Sequence, residues 1–405
     1  MNGWLRGKTA NVVDLFAGTG GMGLASLLST RLTGRSRILH CAELNSAYVS
    51  TIRANYEFYG KHIGSLEQVP SKIYATDIST RGYLSALDYL RESEGVDLLL
   101  AGPPCQGFSK SNSISRVAIN PLNLLAMDTV KAIRAAEPTI AVIENVPGIQ
   151  NIASFKDRRL TVTEHIERTL RRYGYKTSTM VLDAADYGVP QHRLRTFTIA
   201  VHRRRWADID CEDLVPPTTH GQRAGRAHRT VGDVLSDLPK LGNGSTDVIL
   251  DYISKPKTNA QRELRKFSRK LYDHVTTNHA DYVLDRYRDI PIGGNWRSIK
   301  DQLHNYTNPE NTHTNIYHRL DPFKPARTIG NFRKAMTIHP YEDRGLSLRE
   351  AARLQSLPDW LRFFPDDPIV ERGRLRGLGL KQQQVGNAVC FRLTTKLVDH
   401  LFANA

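Results

Sequence analysis

The 405-residue chain has few cysteines and no long hydrophobic run. Its four cysteines lie far apart, and none belongs to a C-x-x-C pair: Cys41, Cys105, Cys211 and Cys390. That spacing argues against a zinc site and against a disulfide framework. No apolar run approaches the roughly 20 residues that span a bilayer, and the polar N-terminus lacks the apolar core of a signal peptide. We therefore expect a cytoplasmic protein without a metal or a membrane segment.

Acidic residues are also scarce relative to basic ones. There are 41 aspartates and glutamates against 56 lysines and arginines, so the formal net charge is +15. A positive balance of this kind favours polyanionic partners, nucleic acid first. A basic but merely solvated surface remains open on charge alone. The length suits about two domains.

A glycine-rich turn near the N-terminus predicts a cofactor site. The segment NVVDLFAGTGGMGLA, residues 11–25, joins a short apolar strand to a turn that opens a helix. Gly18, Gly20 and Gly23 match the pattern G-x-G-x-x-G, which suits NAD, FAD or S-adenosylmethionine, or no ligand at all.

Two acidic residues narrow that choice. Glu43 follows a second apolar strand, and Asp77 lies in a third strand unit, residues 73–78. These positions suit the ribose hydroxyls and the adenine amino group of a cofactor. The repetition of strand, turn and helix predicts a doubly wound, mostly parallel α/β sheet.

Cys105 is the strongest candidate nucleophile. In VDLLLAGPPCQGFSKSN, an apolar strand over Val96 to Ala101 stops at Gly102-Pro103-Pro104. Cys105 thus follows the carboxyl end of a buried strand, which is where open α/β sheets bind their ligands. Thiols are intrinsically strong nucleophiles, and a rigid turn would hold this one against an electrophilic carbon. Cys41, inside an apolar strand, is better explained as a structural cysteine.

An acid and two arginines follow further strands. Glu144 closes the apolar strand of TIAVIENVPGIQ and is a candidate acid beside Cys105. In YGVPQHRLRTFTIAV, Arg193 and Arg195 share one face by the two-residue period of a strand. From that face they could hold a base oxygen and orient Glu144. A structural ion pair is the alternative for all three side chains.

These segments together resemble the DNA (cytosine-5)-methyltransferases of bacterial type. The resemblance covers nearly the whole chain and keeps the family's order of motifs. It rests on six blocks: DLFAGTGG at 14–21, GPPCQGFS at 102–109, IENVPG at 143–148, YGVPQHRLR at 187–195, RGLSLREAARLQSLPD at 344–359 and QQQVGNAV at 382–389. Cys390 and Asn112 depart from the family, which more often has proline and glycine there.

The resemblance implies a role for each matching residue. Cys105 would attack C6 of a flipped-out cytosine, Glu144 would bind its N3 and amino edge, and Arg195 would contact O2 with support from Arg193. S-adenosylmethionine, leaving as S-adenosylhomocysteine, would be the only cofactor. Its predicted pocket consists of Phe16, Gly18, Gly20, Gly21, Glu43, Asp77, Ile78, Pro103, Asn387 and Val389.

The resemblance also implies a smaller DNA-recognition domain. We expect residues 206–375 to form it, and residues 1–205 plus 376–405 to form the cofactor-binding and catalytic domain. Within the recognition segment, RELRKFSRKL at 262–271 has helical periodicity, with a basic stripe opposite Leu264, Phe267 and Leu271. Phosphate contact is the functional interpretation of that stripe, and a solvated helix face is the alternative.

The expected partner is duplex DNA, bound by a nucleoid-associated monomer that belongs to a restriction-modification system or acts as an orphan methylase. A cognate restriction endonuclease would accompany the former. Three other functions stay open on the sequence: an RNA (tRNA) cytosine-5 methyltransferase, a catalytically silent DNA-binding protein, and a Rossmann oxidoreductase. The last leaves the G-P-P-C-Q and I-E-N-V segments unexplained.

Overall fold

A computed structural model describes residues 8–32, 34–70, 72–104, 122–151, 160–207, 209, 211–303, 315–364, 370–371 and 374–403. Cys105 and Asn112 lie outside these ranges. The chain divides into two compact units, the first made of residues 1–183, 194–217 and 393–405 and the second of residues 184–193 and 218–392. The catalytic and recognition roles expected of the two domains stay predictions.

The first unit is built on a seven-stranded sheet with the order β3-β2-β1-β4-β5-β7-β6. Its strands are β1 (Ala10–Leu15), β2 (Ser36–Glu43), β3 (Ile73–Ala75), β4 (Leu98–Ala101), β5 (Ile140–Asn145), β6 (Tyr175–Asp183) and β7 (Leu194–His202). Neighbouring strands from β3 to β5 are parallel, and β7 is antiparallel to both β5 and β6. This confirms the predicted doubly wound, mostly parallel α/β sheet.

Helices cover both faces of this sheet. They are α1 (Gly21–Leu27), α2 (Ser46–His62), α3 (Arg81–Ser93), α4 (Leu122–Ala136), α5 (Val162–Arg172) and α11 (Phe391–Ala403), most of which belongs to the first unit. Val13 and Leu99 share one core with residues of α3, α4 and α5. The alternate residue Asp14 points to the other face, where α1 and α2 pack.

Local sequence signals set where these helices begin. Asn45 caps α2 by accepting hydrogen bonds from the backbone N–H groups of the first turn, and Thr80 caps α3. Thr161 and Glu164 form a reciprocal capping box at the start of α5. Each cap satisfies backbone donors that would otherwise lack partners.

The second unit contains short helices and short antiparallel strand pairs. Its helices are α6 (Val231–Leu235), α7 (Asn259–Arg265), α8 (Asp281–Asp289), α9 (Leu348–Leu354) and α10 (Leu378–Asn387). Its paired strands are β8 (Ile249–Leu250) with β9 (Leu271–Tyr272) and β10 (Val370–Glu371) with β11 (Arg374–Leu375). One apolar core brings Tyr287 of α8 together with Trp296, Tyr317 and Ile338.

Buried arginines in the second unit form ion pairs with buried carboxylates. Arg353 is fully buried in α9, and its guanidinium binds Asp359 Oδ2 at 2.6 Å and Asp237 Oδ1 at 2.5 Å. Arg344 pairs in the same way with buried Glu350, at 2.8 Å. Because each charge is matched, burial does not leave an isolated ion.

The predicted basic helix over residues 262–271 is wrong. Helix α7 ends at Arg265, Phe267 has a left-handed φ of 70°, and Leu271 begins strand β9. The Arg265 guanidinium stacks on the Tyr252 ring at 3.7 Å instead of facing solvent. A tertiary contact therefore overrides the helical periodicity of this segment.

No helix within the described ranges is long and apolar enough to cross a membrane.

Candidate functional site

The candidate site lies at one edge of the sheet in the first unit. Strands β1, β2, β4 and β5 are parallel, so their carboxyl ends meet at this edge. Strand β7 runs the other way and therefore begins there, with Leu194 paired to Asp183 of β6. Residues that are up to 180 positions apart in the sequence are brought together in this way.

The turn after β1 has an unusual backbone. Phe16, Gly18 and Gly20 all have positive φ, at 53°, 58° and 79°. Such φ values cost a glycine little, whereas Phe16 is strained there and is held only by its surroundings. The turn then enters α1 at Gly21. Its glycines lack side chains, which allows close approach of a ligand to the backbone.

Gly23 lies where no side chain fits. A Cβ atom at this position would lie 2.1 Å from the Tyr56 hydroxyl and 2.7 Å from Asp14 Oδ2. The Gly23 N–H donates to that same Asp14 oxygen at 2.9 Å. Asp14 and α2 thus fix the first turn of α1 against the sheet.

Asp14 is the most perturbed acid in this region. It is fully buried, and burial raises its pKa to about 7, against a smaller lowering by the Gly23 N–H and a further rise from the charge of Glu43. Its Oδ1 has no hydrogen-bond partner within the described ranges. The neighbouring Cys41 is fully buried inside β2, as expected of a structural cysteine, and burial raises the pKa of its thiol.

Glu43 is the last residue of β2, and Asp77 follows β3. The Glu43 carboxylate accepts from the backbone N–H of Gly18 at 3.0 Å and from that of Asn45 at 2.9 Å. Burial raises its pKa, although these two bonds oppose the shift. Asp77 is exposed two residues after β3 and accepts from the Ser79 N–H at 2.8 Å. Ile78 is buried in the core beneath, so its side chain belongs to the packing of the unit.

Glu144 stands beside the end of β4. A Cβ built on Gly102 would lie 3.9 Å from Glu144 Oε2 and 3.9 Å from the Phe16 carbonyl oxygen. Asn145 donates from Nδ2 to the carbonyl of Pro103 at 3.4 Å, and its Oδ1 accepts from Val146 N–H. The ends of β4 and β5 are therefore tied together two residues before Cys105.

Arg195 holds the Glu144 carboxylate. Its Nε lies 2.7 Å from Glu144 Oε1, and the two side chains are only 12% and 10% exposed. Nη1 of the same guanidinium donates to the Leu194 carbonyl at 2.8 Å. The predicted acid and one predicted arginine thus form a largely desolvated ion pair at the sheet edge.

Arg193 has different partners. It precedes β7, belongs to the second unit and is 3% exposed. Its guanidinium donates to the carbonyls of Ile329 at 2.8 Å, Gly386 at 3.0 Å and Ala388 at 3.2 Å. These bonds flank Asn387, so Arg193 positions the backbone of a predicted cofactor residue, a role that strand alternation did not predict.

Two predicted cofactor residues lie at the end of α10 in the second unit. Asn387 is its last residue and is exposed, whereas Val389 is half-buried two residues later. Three residues that support the candidate site were not predicted from the sequence: Asp14, Tyr56 and Asn145. Only Asp14 had a visible signal, because a lone carboxylate inside the apolar run NVVDLF needs a buried partner.

The polar groups and the backbone turn of the first unit suit a nucleoside cofactor. The Glu43 carboxylate can still accept hydroxyl hydrogen bonds besides the two backbone bonds that orient it. Gly18 and Gly20, both with positive φ angles, form a tight backbone turn without side chains that would hinder a ligand. Within the described ranges, no group of three or more His, Cys, Asp or Glu side chains could hold a metal ion.

Comparisons with known proteins agree with this geometry. The model of the C-5 cytosine-specific DNA methylase family matches residues 10–403. The chain is 28% identical to the type II methyltransferase M.DdeI of Desulfomicrobium norvegicum, over 96% of this chain and 88% of that one. It is 30% identical to the type II methyltransferase M1.HphI of Haemophilus parahaemolyticus, over 93% and 82%.

Solved structures show the same fold. A DNA modification methyltransferase encoded within an E. coli prophage superposes with a TM-score of 0.69 at 22% identity, covering 98% of this chain and 99% of that one. The Dnmt2 methyltransferase of S. pombe superposes with a TM-score of 0.58 at 14% identity, covering 98% and 99%. The match to the family model over nearly the full length decides the assignment: the chain belongs to the C-5 cytosine-specific DNA methylase family.

Proposed function

We propose that the protein transfers a methyl group from S-adenosylmethionine to C5 of a cytosine in a specific duplex sequence, through a covalent bond between Cys105 and cytosine C6. One observation carries the site assignment. The Glu144–Arg195 ion pair, 2.7 Å long and about nine-tenths buried, stands beside Gly102, three residues before Cys105. A carboxylate held in this way can be aimed at a base edge.

The chemistry requires this combination of groups. Cytosine C5 is a poor nucleophile until a thiolate adds to C6 and N3 receives a proton or a strong hydrogen bond. Cys105 supplies the thiolate, and Glu144 hydrogen-bonds N3 and the amino group. Arg195 orients Glu144 and contacts O2. Loss of the C5 proton and departure of Cys105 then restore the aromatic ring.

The cofactor would be held mainly by the turn after β1. Phe16 would pack on the adenine, Glu43 would bind the ribose hydroxyls, and Asp77 would lie near the adenine amino group. Pro103, Asn387 and Val389 are the further cofactor residues that the family resemblance implies. When bound, S-adenosylmethionine supplies an electrophilic methyl group. The strained backbone of Phe16 is consistent with a residue that is preorganised for a ligand.

Base flipping and sequence recognition complete the proposal. A cytosine inside a duplex cannot reach a site at a sheet edge, so it must leave the base stack. We assign recognition of the surrounding sequence to residues 206–375. The relatives named type II methyltransferases support a place in a restriction-modification system, with a cognate endonuclease as partner. We expect a monomeric, nucleoid-associated enzyme.

The first experiment measures methyl incorporation. Purified protein is incubated with labelled S-adenosylmethionine and genomic DNA, and the product is analysed as nucleosides and sequenced at the modified sites. We expect 5-methylcytosine in one short sequence context. If folded protein with bound cofactor yields no methylated base in DNA, the proposal fails, and a parallel incubation with tRNA identifies an RNA enzyme.

The covalent step has its own test. In a duplex with 5-fluorocytosine at the target position, fluorine cannot leave as the C5 proton does, so the protein should stay attached to the DNA under denaturing electrophoresis. We expect Cys105→Ser to abolish both this adduct and methyl transfer while cofactor binding persists. Cys211→Ser changes a buried cysteine of the same unit and serves as the matched control. Turnover by Cys105→Ser would rule out the covalent mechanism.

A further inference from the structure

A polar cavity lies within the second unit, apart from the residues proposed for catalysis. Its volume is about 450 Å³. The loop from Thr276 to His279, the segment from Arg333 to Met336 and the first turn of α10 form its walls. None of the residues that line it is an aspartate or a glutamate. The wall therefore has cationic and neutral groups only.

Two cations at this cavity differ from the buried, paired arginines of the second unit. Arg333 and Lys334 are exposed, and neither forms an ion pair with any carboxylate in the described part of the chain. Arg344 and Arg353, by contrast, each bind carboxylates within 3 Å. Unmatched positive charge concentrated at a concave surface attracts an anion.

The start of α10 adds to this positive field. Its N-cap is Gly377, which provides no side-chain cap, and the first turn contains no acidic residue. The backbone N–H groups of Leu378 and Gly379 donate to no residue in the described ranges. Free N–H groups and the helix dipole together favour an anion at such an end. A Cβ on Gly379 would lie 3.1 Å from Arg333 Nη1, so the glycine leaves room for the guanidinium.

The polar wall of the cavity is fixed in place. Gln382 is 4% exposed, donates to Thr277 Oγ1 at 2.9 Å and has an Oε1 without a hydrogen-bond partner in the described ranges. Asn243 holds His279 through the backbone N–H at 3.0 Å and the carbonyl at 2.8 Å. A wall that is ordered in advance lowers the entropic cost of binding.

We propose that this cavity binds a phosphodiester group of the DNA substrate, with Arg333, Lys334 and the first N–H groups of α10 as its donors. The assignment rests on the proposed function, since DNA is the anion that this enzyme would meet. A guanidinium matches two phosphate oxygens at once, and a lysine adds a point charge. Contacts of this kind fix the position of the protein on the duplex and carry no sequence information.

The test compares the DNA affinity of two charge-removing variants and one charge-conserving variant over a series of salt concentrations, by fluorescence anisotropy on a short labelled duplex. Arg333→Gln and Lys334→Gln should each weaken binding about tenfold and reduce the slope of log affinity against log salt by about one. The loss should be equal on duplexes with and without the methylation sequence. Arg333→Lys should keep the slope.

Lys61→Gln is the matched control. Lys61 is an exposed lysine of α2 in the first unit that pairs with Glu57, so its loss lowers the net charge by the same amount. We expect its affinity and slope to equal those of the wild type. Melting temperatures should be unchanged in all variants, because the replaced side chains are exposed.

Three outcomes would overturn the assignment. Wild-type affinity and slope in both glutamine variants would show that the cavity does not bind phosphate. A loss confined to the methylation sequence would make these residues base readers instead. An equal loss of DNA affinity in Lys61→Gln would show that the effect depends only on the net charge of the protein. The methyl incorporation assay, run on the same proteins, separates these results from a failure of the proposed function, in which the wild type itself neither binds nor methylates DNA.

Discussion

Replacing Asp14 by asparagine should change how the stability of the protein depends on pH. In the folded protein the buried Asp14 carboxyl has a pKa of about 7, against an ordinary value of 3.8. The folded state therefore holds a proton on Asp14 over a pH range in which the unfolded chain has lost it. This contribution to stability is complete below the unfolded pKa and is lost as the pH rises through the folded pKa.

The magnitude follows from the two pKa values. Each pKa unit corresponds to about 1.4 kcal/mol, so a rise from 3.8 to about 7 corresponds to at most about 4 kcal/mol lost between acid and neutral pH. Asparagine has no proton to lose, and its Oδ1 can still accept from the Gly23 N–H, which Asp14 now binds at 2.9 Å. The stability of Asp14→Asn relative to the wild type should thus increase steadily from about pH 4 to about pH 7.

Urea unfolding followed by circular dichroism at several pH values measures this difference directly. Titrating groups that do not interact with Asp14 contribute equally to both proteins and cancel in the comparison. Asp88→Asn, which removes an exposed carboxylate on α3 that pairs with Arg91, is the control and should show no such trend. A constant difference between Asp14→Asn and the wild type across this range would refute a raised pKa of Asp14.

Further substitutions test the packing of Gly23 and the different roles of Arg193 and Arg195. Gly23→Ala places a Cβ 2.1 Å from the Tyr56 hydroxyl and should lower the free energy of unfolding by about 1–3 kcal/mol through overpacking. Thermal melting should show this loss of stability, and the additional substitution Tyr56→Phe should restore part of it. Wild-type stability of Gly23→Ala would contradict the close contact. Arg193→Met leaves the carbonyls of Ile329, Gly386 and Ala388 without their guanidinium donor and should lower the free energy of unfolding by about 3 kcal/mol. Arg195→Met should instead mainly lower the rate of methyl transfer. Equal melting temperatures for Arg193→Met and the wild type would contradict a structural role of Arg193.

The sequence was sufficient for the sheet because its strands are apolar runs bounded by turn residues. Such runs, as in Leu98–Ala101 and Ile140–Asn145, are buried on both faces and can be recognised without tertiary information. The glycine-rich turn and the polar residues at strand ends predicted one edge of that sheet as the site. Parallel pairing then accounts for the proximity of Gly102 and Glu144.

Other features depend on contacts that periodicity does not encode. The helix predicted over residues 262–271 ends at Arg265, whose guanidinium contacts the Tyr252 ring and Asp237. The two-residue period of a strand predicted that Arg193 and Arg195 share one face. The strand begins only at Leu194, however, and Arg193 is buried among carbonyls from distant segments. The close packing of Gly23 against Tyr56 needs the position of α2, which no local pattern gives.

The direction of β7 explains why the site needs a residue from so late in the first unit. Side chains at the carboxyl ends of the parallel strands lie at this edge of the sheet. Arg195 lies at the same edge because it is the second residue of β7, which is antiparallel to β5. From there its Nε holds Glu144 Oε1 at 2.7 Å. With one carboxylate oxygen fixed, the plane of the carboxylate is fixed too, and Oε2 is directed to the end of β4, within 3.9 Å of a Cβ built on Gly102. Cys105 follows three residues later. The ion pair therefore aims Glu144 at the position where the proposed chemistry needs a hydrogen-bonding group, and either partner alone would leave that direction undetermined.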